Sequence, residues 1–528
     1  MRHFADLALN LPVLLKSSRG RYVFLGDKKG MGQHRDRVST GIDGLDDILG
    51  GGLPANHLYL LQGEPGSGKT TMALQFLLEG RRNGENTLYI TLSETSQELS
   101  LVAKSHDWSL DGIELFELAA SEEYLRGEVQ NTIFHTSEIE LGETTKALLE
   151  EVERVQPMRV VFDSLSELRL LARDRLRYRR QILSLKQFFI GRQCTVLLLD
   201  DETKDGSDIE VHSIAHGVIM IDHNAPEYGA ERRRLRIRKC RGVKFHSGYH
   251  DFNILTGGIS VYPRLIAAEH HSDYFKEKVS CGLPELDTLV GGGLSRGTST
   301  LIMGPAGAGK SVLGSTYAVA AAARGECAAI YSFDESIGTL LARSDNLGLD
   351  LRAQVEAERI LLRQVDPAEL SSGEFAHIVR RDVESNGVRL VVIDSLNGYL
   401  NAMQENRFLI LHLHELLTYL GQQGICTLLV MVQHGLLGSM QTSVDVSYLA
   451  DAVILLRYFE YGGEVKQAIS IIKQRTGGHE HTVREFQVSD HGIRIGEPLR
   501  DFHGVLTGSP AYTGQGQPLL SEGYASRS

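Results

Sequence analysis

Short apolar runs without polar alternation recur along the chain, separated by helical stretches. Such a run indicates a strand that is buried on both faces, which is typical of a parallel sheet covered by helices. The predicted fold class is therefore α/β, with mostly parallel sheets flanked by helices. The predicted strands include residues 58–61, 88–90, 195–199 and 218–221, and in the second half residues 301–303, 329–331, 427–432 and 453–456.

Two long segments of the chain repeat each other. Residues 39–70 and residues 280–311 each contain a GL pair, an acidic residue, a short apolar segment and a GGGL turn before a strand. An offset of about 240 residues is far longer than a solenoid repeat, so it indicates duplicated domains with separate cores. We expect a first domain at residues 36–262, a linker at 263–277 and a second domain at 278–500, with an N-terminal arm at 1–35 and a flexible tail at 501–528.

Each half contains a complete phosphate-binding loop, GEPGSGKT at residues 63–70 and GPAGAGKS at residues 304–311. Glycines let the backbone turn its N–H groups inward around a polyphosphate. Lys69 and Lys310 then reach the β- and γ-phosphates, and the next hydroxyl is offered to Mg²⁺. The sequence therefore predicts two ATP sites, formed by Gly63, Glu64, Pro65, Gly66, Ser67, Gly68, Lys69, Thr70 and Thr71, and by Gly304, Pro305, Ala306, Gly307, Ala308, Gly309, Lys310, Ser311 and Val312.

Carboxylates follow two further apolar strands in each half. The runs RVVFDS and RLVVIDS end at Asp163 and Asp394, which have the form of Walker B aspartates that hold Mg²⁺ through its water. With the loop hydroxyls, they define the predicted metal ligands Thr70, Asp163, Ser311 and Asp394. The second predicted strand of the first half is followed by Glu94, and that of the second half is followed by Asp334 and Glu335. A last strand is predicted to end each half in Lys-x-Arg, at residues 239–241 and 473–475.

Length, composition and net charge limit the classes of protein to which the chain can belong. A chain of 528 residues with 42% hydrophobic and 23% charged residues suits two or three globular domains, and the repeat favours two. No apolar run approaches the roughly 20 residues of a membrane helix, and the patch at residues 7–15 lacks a cleavage site. We therefore expect a cytoplasmic protein. The net charge of −12 does not indicate a nucleic-acid surface.

The cysteines and histidines do not predict a metal centre. The five cysteines are scattered singly, without a CxxC pair, so we expect reduced thiols. Neighbouring histidines occur at residues 270–271 and 479–481, and we interpret them as solvated loop residues. The segment before Met31 is either a disordered arm or a stretch upstream of the true start.

The motifs together resemble the KaiC family of circadian clock proteins, within the RecA-like ATPases. The resemblance covers residues 36–510 and includes both loops, both GGGL turns, SFDES, both strand-DS sites, KCRGVKFHSGYHDF and VREFQVSD. It implies two tandem RecA-like domains in a double-ringed homohexamer, with ATPase activity in the first ring and serine/threonine autokinase activity in the second. Response-regulator or clock-type proteins would be the partners. The catalytic carboxylates would be Glu94, Asp334 and Glu335, and the pairs that act across the subunit boundary would be Lys239 with Arg241 and Lys473 with Arg475.

The chain departs from this family at the catalytic carboxylates and at the phosphate acceptors. Ser93 stands where the family has the first of two glutamates, and Asp334 replaces that glutamate in the second half. The family's adjacent serine and threonine acceptors correspond to Ser447 and Tyr448, so Ser447 is the expected acceptor. Thr442, or its neighbour Ser443, is the alternative acceptor. The family's C-terminal partner peptide is not recognisable after Pro510.

Two other classes stay open. A nucleic-acid-dependent motor or recombinase could be built on the same domain, although the sequence has neither a zinc ribbon nor a basic tail. Stimulation of ATP hydrolysis by single-stranded DNA would favour that class. A signalling scaffold is as compatible with the sequence as a clock protein.

Overall fold

The computed structural model describes residues 37–118, 136–172, 174–202, 209–402, 409–433, 446–506 and 511–513. The arm predicted at residues 1–35 and the alternative acceptors Thr442 and Ser443 lie outside these ranges. Three small two-stranded sheets accompany two large ones, and they pair β1 with β2, β12 with β13 and β23 with β24. Their strands are β1 (Arg37–Val38), β2 (Leu53–Pro54), β12 (Lys278–Val279), β13 (Leu294–Ser295), β23 (Phe502–His503) and β24 (Ala511–Tyr512).

The first half forms a nine-stranded sheet in the order β11-β10-β9-β8-β3-β7-β6-β4-β5. Strand β3 lies between β7 and β8, and the six strands from β5 to β8 in this order are parallel. The other three are antiparallel. The strands are β3 (Leu58–Gly63), β4 (Thr87–Thr91), β5 (Glu114–Glu117), β6 (Arg159–Asp163), β7 (Thr195–Asp201), β8 (Gly217–Asn224), β9 (Arg232–Cys240), β10 (His250–Leu255) and β11 (Gly258–Tyr262).

The second half repeats this arrangement in the order β16-β15-β17-β18-β14-β19-β20-β21-β22. Strand β14 is again central, and the sheet again has six parallel and three antiparallel strands. The two sheets confirm the predicted α/β class. The strands are β14 (Ser299–Gly304), β15 (Cys327–Ser332), β16 (Ile360–Gln364), β17 (Val388–Asp394), β18 (Cys426–Val432), β19 (Ala452–Tyr461), β20 (Glu464–Gln474), β21 (Val483–Ser489) and β22 (Gly492–Pro498).

Helices cover both faces of the first sheet. On β3, Tyr59 and Leu61 face one apolar cluster and Leu58 and Leu60 face another, so the strand is buried on both sides as the apolar run predicts. One cluster contains residues of α1 to α3 and the other contains residues of α4 to α7. These helices are α1 (Asp43–Ile48), α2 (Lys69–Arg82), α3 (Ser96–Ser105), α4 (Thr136–Val155), α5 (Leu165–Ala172), α6 (Arg175–Gly191) and α7 (Ile209–Ile214).

The second sheet is covered in the same way, by α8 to α11 on one face and by α12 to α14 on the other. A short 3-10 helix, Ala267–Glu269, lies between the halves. No helix in the described ranges is long and apolar enough to cross a membrane. The helices are α8 (Pro284–Leu289), α9 (Lys310–Ala323), α10 (Ile337–Asn346), α11 (Leu351–Glu356), α12 (Ser372–Asn386), α13 (Leu396–Ala402) and α14 (Leu409–Gln422).

The predicted strands all lie within observed strands, but the prediction that Lys-x-Arg ends the last strand of each half is wrong. Two antiparallel strands follow in each half, β10 and β11 in the first and β21 and β22 in the second. These outer strands mix buried and partly exposed positions, as the HDFNIL sequence of β10 does. A search for continuous apolar runs therefore overlooked them.

Contacts between the halves run from strands β10 and β11 to helix α12. The Glu374 carboxylate accepts hydrogen bonds from the Asn253 side chain at 2.6 Å and the Tyr262 hydroxyl at 3.0 Å. Asp251 accepts from the backbone N–H of Gly373 at 2.8 Å. The two overlooked strands of the first half thus form one polar contact with the second. Arg232 of β9 forms another, with the backbone oxygens of residues 367–369.

Candidate nucleotide-binding sites

Both phosphate loops connect a central strand to a helix that starts at the loop lysine. Strand β3 ends at Gly63 and α2 begins at Lys69, whereas β14 ends at Gly304 and α9 begins at Lys310. The residue before each lysine is a glycine with positive φ, 105° at Gly68 and 88° at Gly309. Residues with a side chain rarely adopt a φ near 105°, so the turn favours glycine at Gly68.

The first lysine is held by three oxygen atoms of its own chain. The Lys69 ammonium lies 2.9 Å from the backbone oxygens of both Gly63 and Glu64. It also lies 2.9 Å from the Asp201 Oδ1 atom. Asp201 pairs with Gly63 across the parallel strands β7 and β3, which brings its carboxylate beside the loop. Sequence analysis did not predict this residue, although the LLLDD sequence at the end of β7 contains it.

The second lysine is in a drier environment. Lys310 is 5% exposed and donates a hydrogen bond to the Pro305 backbone oxygen at 2.6 Å. Burial lowers the pKa of Lys310 to about 8, against an opposing effect of Asp394. The residue that pairs with Gly304 on the neighbouring strand is Val432, so the position of Asp201 is apolar here.

The predicted acidic residues of the first half come together next to the loop. The Thr70 hydroxyl donates to Glu94 Oε1 at 3.3 Å, and the other carboxylate oxygen of Glu94 is buried without a hydrogen-bond partner. Asp163 accepts a hydrogen bond from the Tyr89 hydroxyl at 2.6 Å. Burial raises the pKa of Glu94 and of Asp163, and the Asp163 charge adds to the effect on Glu94.

The second half arranges its carboxylates differently. Asp334 accepts a short hydrogen bond from the Ser395 hydroxyl. Glu335 forms an ion pair with Arg343, whose Nη1 atom lies 2.7 Å from Glu335 Oε2. Burial raises the pKa of Asp394, while a hydrogen bond from Ser311 and the charge of Arg343 oppose this.

Arg343 was missed by sequence analysis. It lies eight residues after Glu335 on α10, and the residue eight positions after Glu94 on α3 is Val102. The first site therefore lacks this cation. A comparison of the two repeats beyond the SFDES motif would have found the difference.

The Lys-x-Arg pairs do not approach the phosphate loop of their own half. Gly63 pairs with Ile221 within β8, whereas Cys240 pairs with Gly217, the first residue of that strand and four residues before Ile221. Within the chain, Lys239 donates to the His212 backbone oxygen and Arg241 donates to that of Ser213. The second pair makes equivalent contacts, from Lys473 to the backbone oxygens of Ser447 and Ala450 and from Arg475 to that of Tyr448.

The predicted acceptor Ser447 therefore lies beside its own chain's Lys473. Its backbone oxygen is 2.9 Å from the Lys473 ammonium, and its side chain is partly exposed. Tyr448 is 55% exposed. Within the described part of the chain, no three histidine, cysteine, aspartate or glutamate side chains are grouped to hold a metal ion.

Comparison with known proteins identifies the family. The family model described as "ATPase: KaiC" matches residues 38–266 and again residues 279–500. The circadian clock protein KaiC3 of Synechocystis sp. is 28% identical over 495 residues, which are 91% of this chain and 96% of that protein. The circadian clock oscillator protein KaiC of Synechococcus elongatus is 28% identical over 487 residues, 90% of this chain and 92% of that protein. Since the family model matches each of the two repeats and most of the chain, the protein belongs to the KaiC ATPase family.

Proposed function

We propose that the protein is an Mg²⁺-dependent ATPase that assembles as a homohexamer, and that its second domain phosphorylates a serine of the chain itself. The observation that carries the proposal is the contact, in each half, between the hydroxyl that follows the loop lysine and a carboxylate in or just after another strand, Glu94 for Thr70 and Asp394 for Ser311. At the first loop, Thr70 and Glu94 are 3.3 Å apart. Phosphoryl transfer depends mainly on positioning and charge stabilisation, which such a cluster supplies.

The residues of both sites fit Mg²⁺. Hydroxyl and carboxylate oxygens are the ligands that this ion prefers, and one oxygen of Glu94 is buried without a hydrogen-bond partner. Thr70 with Asp163, and Ser311 with Asp394, would hold the ion. When bound, Mg²⁺ neutralises charge on the β- and γ-phosphates.

The Lys-x-Arg pairs support a ring of subunits. Lys239 and Arg241 lie at the far end of β8 from their own phosphate loop, and Lys473 and Arg475 lie similarly on the second sheet. We propose that each pair contributes positive charge to the ATP site of the neighbouring subunit. A single chain cannot supply that charge to its own site.

In the second domain, we propose Asp334 as the proton acceptor and Ser447 as the nucleophile. The Ser447 oxygen would bond to the γ-phosphorus as the bond to ADP breaks, and the hydroxyl proton would pass to Asp334. The hydrogen bond from Ser395 orients Asp334 for this role. The acceptor serine would come from the neighbouring subunit.

The proposal extends to a signalling or clock-like role in the cytoplasm. The matched relatives carry the names of circadian clock proteins, which supports response-regulator or clock-type proteins as partners. The five cysteines are free thiols, a usage typical of a reducing compartment.

Mass spectrometry after incubation with Mg²⁺-ATP tests the autokinase. We expect one phosphate on Ser447, with most of it lost in Ser447→Ala and in Asp334→Asn, while ATP binding persists in both. Tyr448→Phe is the matched control and should lose little, since an aromatic side chain carries its hydroxyl farther from the backbone. Unchanged incorporation in Ser447→Ala and in a Thr442/Ser443 double variant would contradict the assignment.

A second assay separates this function from a nucleic-acid motor. ATP hydrolysis is measured with and without single-stranded DNA. We expect the same rate in both, and a large stimulation would overturn the proposed function in favour of the motor.

A further inference from the structure

The Asp201 carboxylate forms an ion pair with the Lys69 ammonium, the group that a nucleotide phosphate has to reach. Lysine has three N–H donors, and the three oxygen atoms of Gly63, Glu64 and Asp201 each lie 2.9 Å from the Lys69 nitrogen. Only the Asp201 oxygen belongs to an anion. A phosphate that binds Lys69 must therefore replace one of these partners.

The position of Asp201 follows from the sheet. Asp200 and Asp201 are adjacent at the end of β7, and the Ser166 hydroxyl lies 3.1 Å from Asp200 Oδ1 and 3.5 Å from Asp201 Oδ2. Asp200 is fully buried and ion-paired with Arg169 at 2.6 Å, which fixes the end of the strand. Asp201, in register with Gly63, is 42% exposed and accessible to a ligand.

A phosphate and the Asp201 carboxylate are competitors for one cation. Both are anions, and at this short distance they repel each other. Burial raises the pKa of Asp163, and the negative charge of Asp201 raises it further. Displacement of Asp201 is therefore the outcome that relieves the repulsion when a nucleotide enters.

The second half provides an internal comparison. Val432 takes the register position of Asp201, and it pairs with Gly304. The Lys310 ammonium donates to the Pro305 backbone oxygen, and among the described residues no carboxylate lies within ion-pair distance of it. Among the described residues, the two loop lysines thus differ in that Lys69 has a carboxylate partner and Lys310 does not.

We propose that Asp201 determines the nucleotide affinity of the first site by holding Lys69 until the γ-phosphate displaces it and by recapturing Lys69 when that phosphate leaves. This inference rests on the proposed function only in that the first loop binds ATP. It makes the first site a weaker binder of ATP than its motif alone implies. A partly exposed ion pair is worth a factor of up to about five in an equilibrium constant, so the effect is measurable.

The test measures dissociation constants for ATP and ADP in full-length protein that carries Lys310→Ala, so that only the first loop binds. In Asp201→Asn and Asp201→Val, we expect the ATP constant to fall about fivefold and the ADP constant to fall less, because ADP lacks the competing γ-phosphate. Glu202→Gln is the matched control. It removes the same charge from the adjacent exposed residue, which does not contact Lys69, and it should leave both constants unchanged.

The reciprocal substitution tests the same idea at the second loop. In a Lys69→Ala background, Val432→Asp should weaken ATP binding about fivefold, whereas the uncharged Val432→Asn should not. Equal ATP affinity in Asp201→Asn and the parent would overturn the inference while leaving ATP binding intact. A Lys310→Ala protein that binds no ATP would instead overturn the proposed first site.

Discussion

At the residue scale, the two ATP sites differ in how their carboxylates are partnered. Glu94 has one buried oxygen without a hydrogen bond, whereas Glu335 is held by Arg343 and Asp334 by Ser395. Burial raises the pKa of Glu94, and a carboxylate with a raised pKa is a stronger base. We therefore expect Glu94 to activate water in the first site.

Substitution of Glu94 tests this difference. Glu94→Gln keeps the shape of the side chain and removes the proton acceptor, so ATP hydrolysis by the first site should fall by a factor of about 100 or more. ATP binding should persist, because Lys69 and the loop backbone are unchanged. The measurement is steady-state hydrolysis and ATP affinity in a Lys310→Ala background. A hydrolysis rate within twofold of the parent would remove Glu94 from the mechanism.

Sequence patterns named candidate residues for the two sites, but they did not name every residue that contacts those candidates. The loop lysines and the strand-end carboxylates belong to motifs with fixed spacing, so each was assigned without a structure. Asp201 and Arg343 reach the sites only through strand register and helix placement. Such tertiary neighbours have no local signature in a single sequence.

At the scale of elements, the central strands were predictable and the outer ones were not. Strands β3 and β14 are buried on both faces and appear as continuous apolar runs. Strands β10 and β21 are only partly covered, so polar residues interrupt their pattern. They nevertheless matter, because β10 provides the contact of the first half with α12.

The buried His250 on β10 makes the stability of the first half depend on pH. It is 1% exposed, its Nδ1 atom accepts from the Arg264 backbone N–H at 2.9 Å, and its Nε2 atom donates to the His246 oxygen at 3.0 Å. Both ring nitrogens of His250 therefore have a hydrogen-bond partner when the imidazole is neutral. Burial lowers the pKa of His250 from 6.5 to about 4.

The unfolded chain therefore binds a proton at His250 below pH 6.5, and the native chain does so only near pH 4. Stability should fall as pH decreases through this window, by about 3 kcal/mol from this residue. Urea unfolding at pH 7 and pH 5 measures it in the parent and in His250→Gln, which cannot titrate. We expect a smaller acid loss in the variant. An identical loss in both proteins would show that His250 is not the source.

At the scale of the whole molecule, the chain is a duplicated ATPase whose two halves have diverged around a common sheet. The six parallel strands and the loop position are the same in both halves. Two of the differences concern charge. Asp201 of the first half corresponds to Val432 of the second, and Val102 corresponds to Arg343. These differences are consistent with the proposal that the two sites share ATP binding and differ in chemistry.

Assembly into a ring gives a prediction at this scale. If the Lys-x-Arg pairs complete the neighbouring sites, Mg²⁺-ATP should convert the chain into hexamers, since bound phosphates attract those cations. Light scattering coupled to size exclusion measures the mass with and without nucleotide. A variant with Arg241→Ala and Arg475→Ala should assemble less at the same ATP concentration. A monomer at saturating Mg²⁺-ATP would contradict the ring.

The division of labour between the two loops is the central claim, and one paired measurement tests it most directly. ATP hydrolysis and phosphate incorporation are measured together in Lys69→Ala and in Lys310→Ala, each of which removes one lysine that no neighbour replaces. We predict that hydrolysis falls mostly in Lys69→Ala and that incorporation is lost in Lys310→Ala. Equal loss of both activities in either variant would contradict separate roles for the two sites.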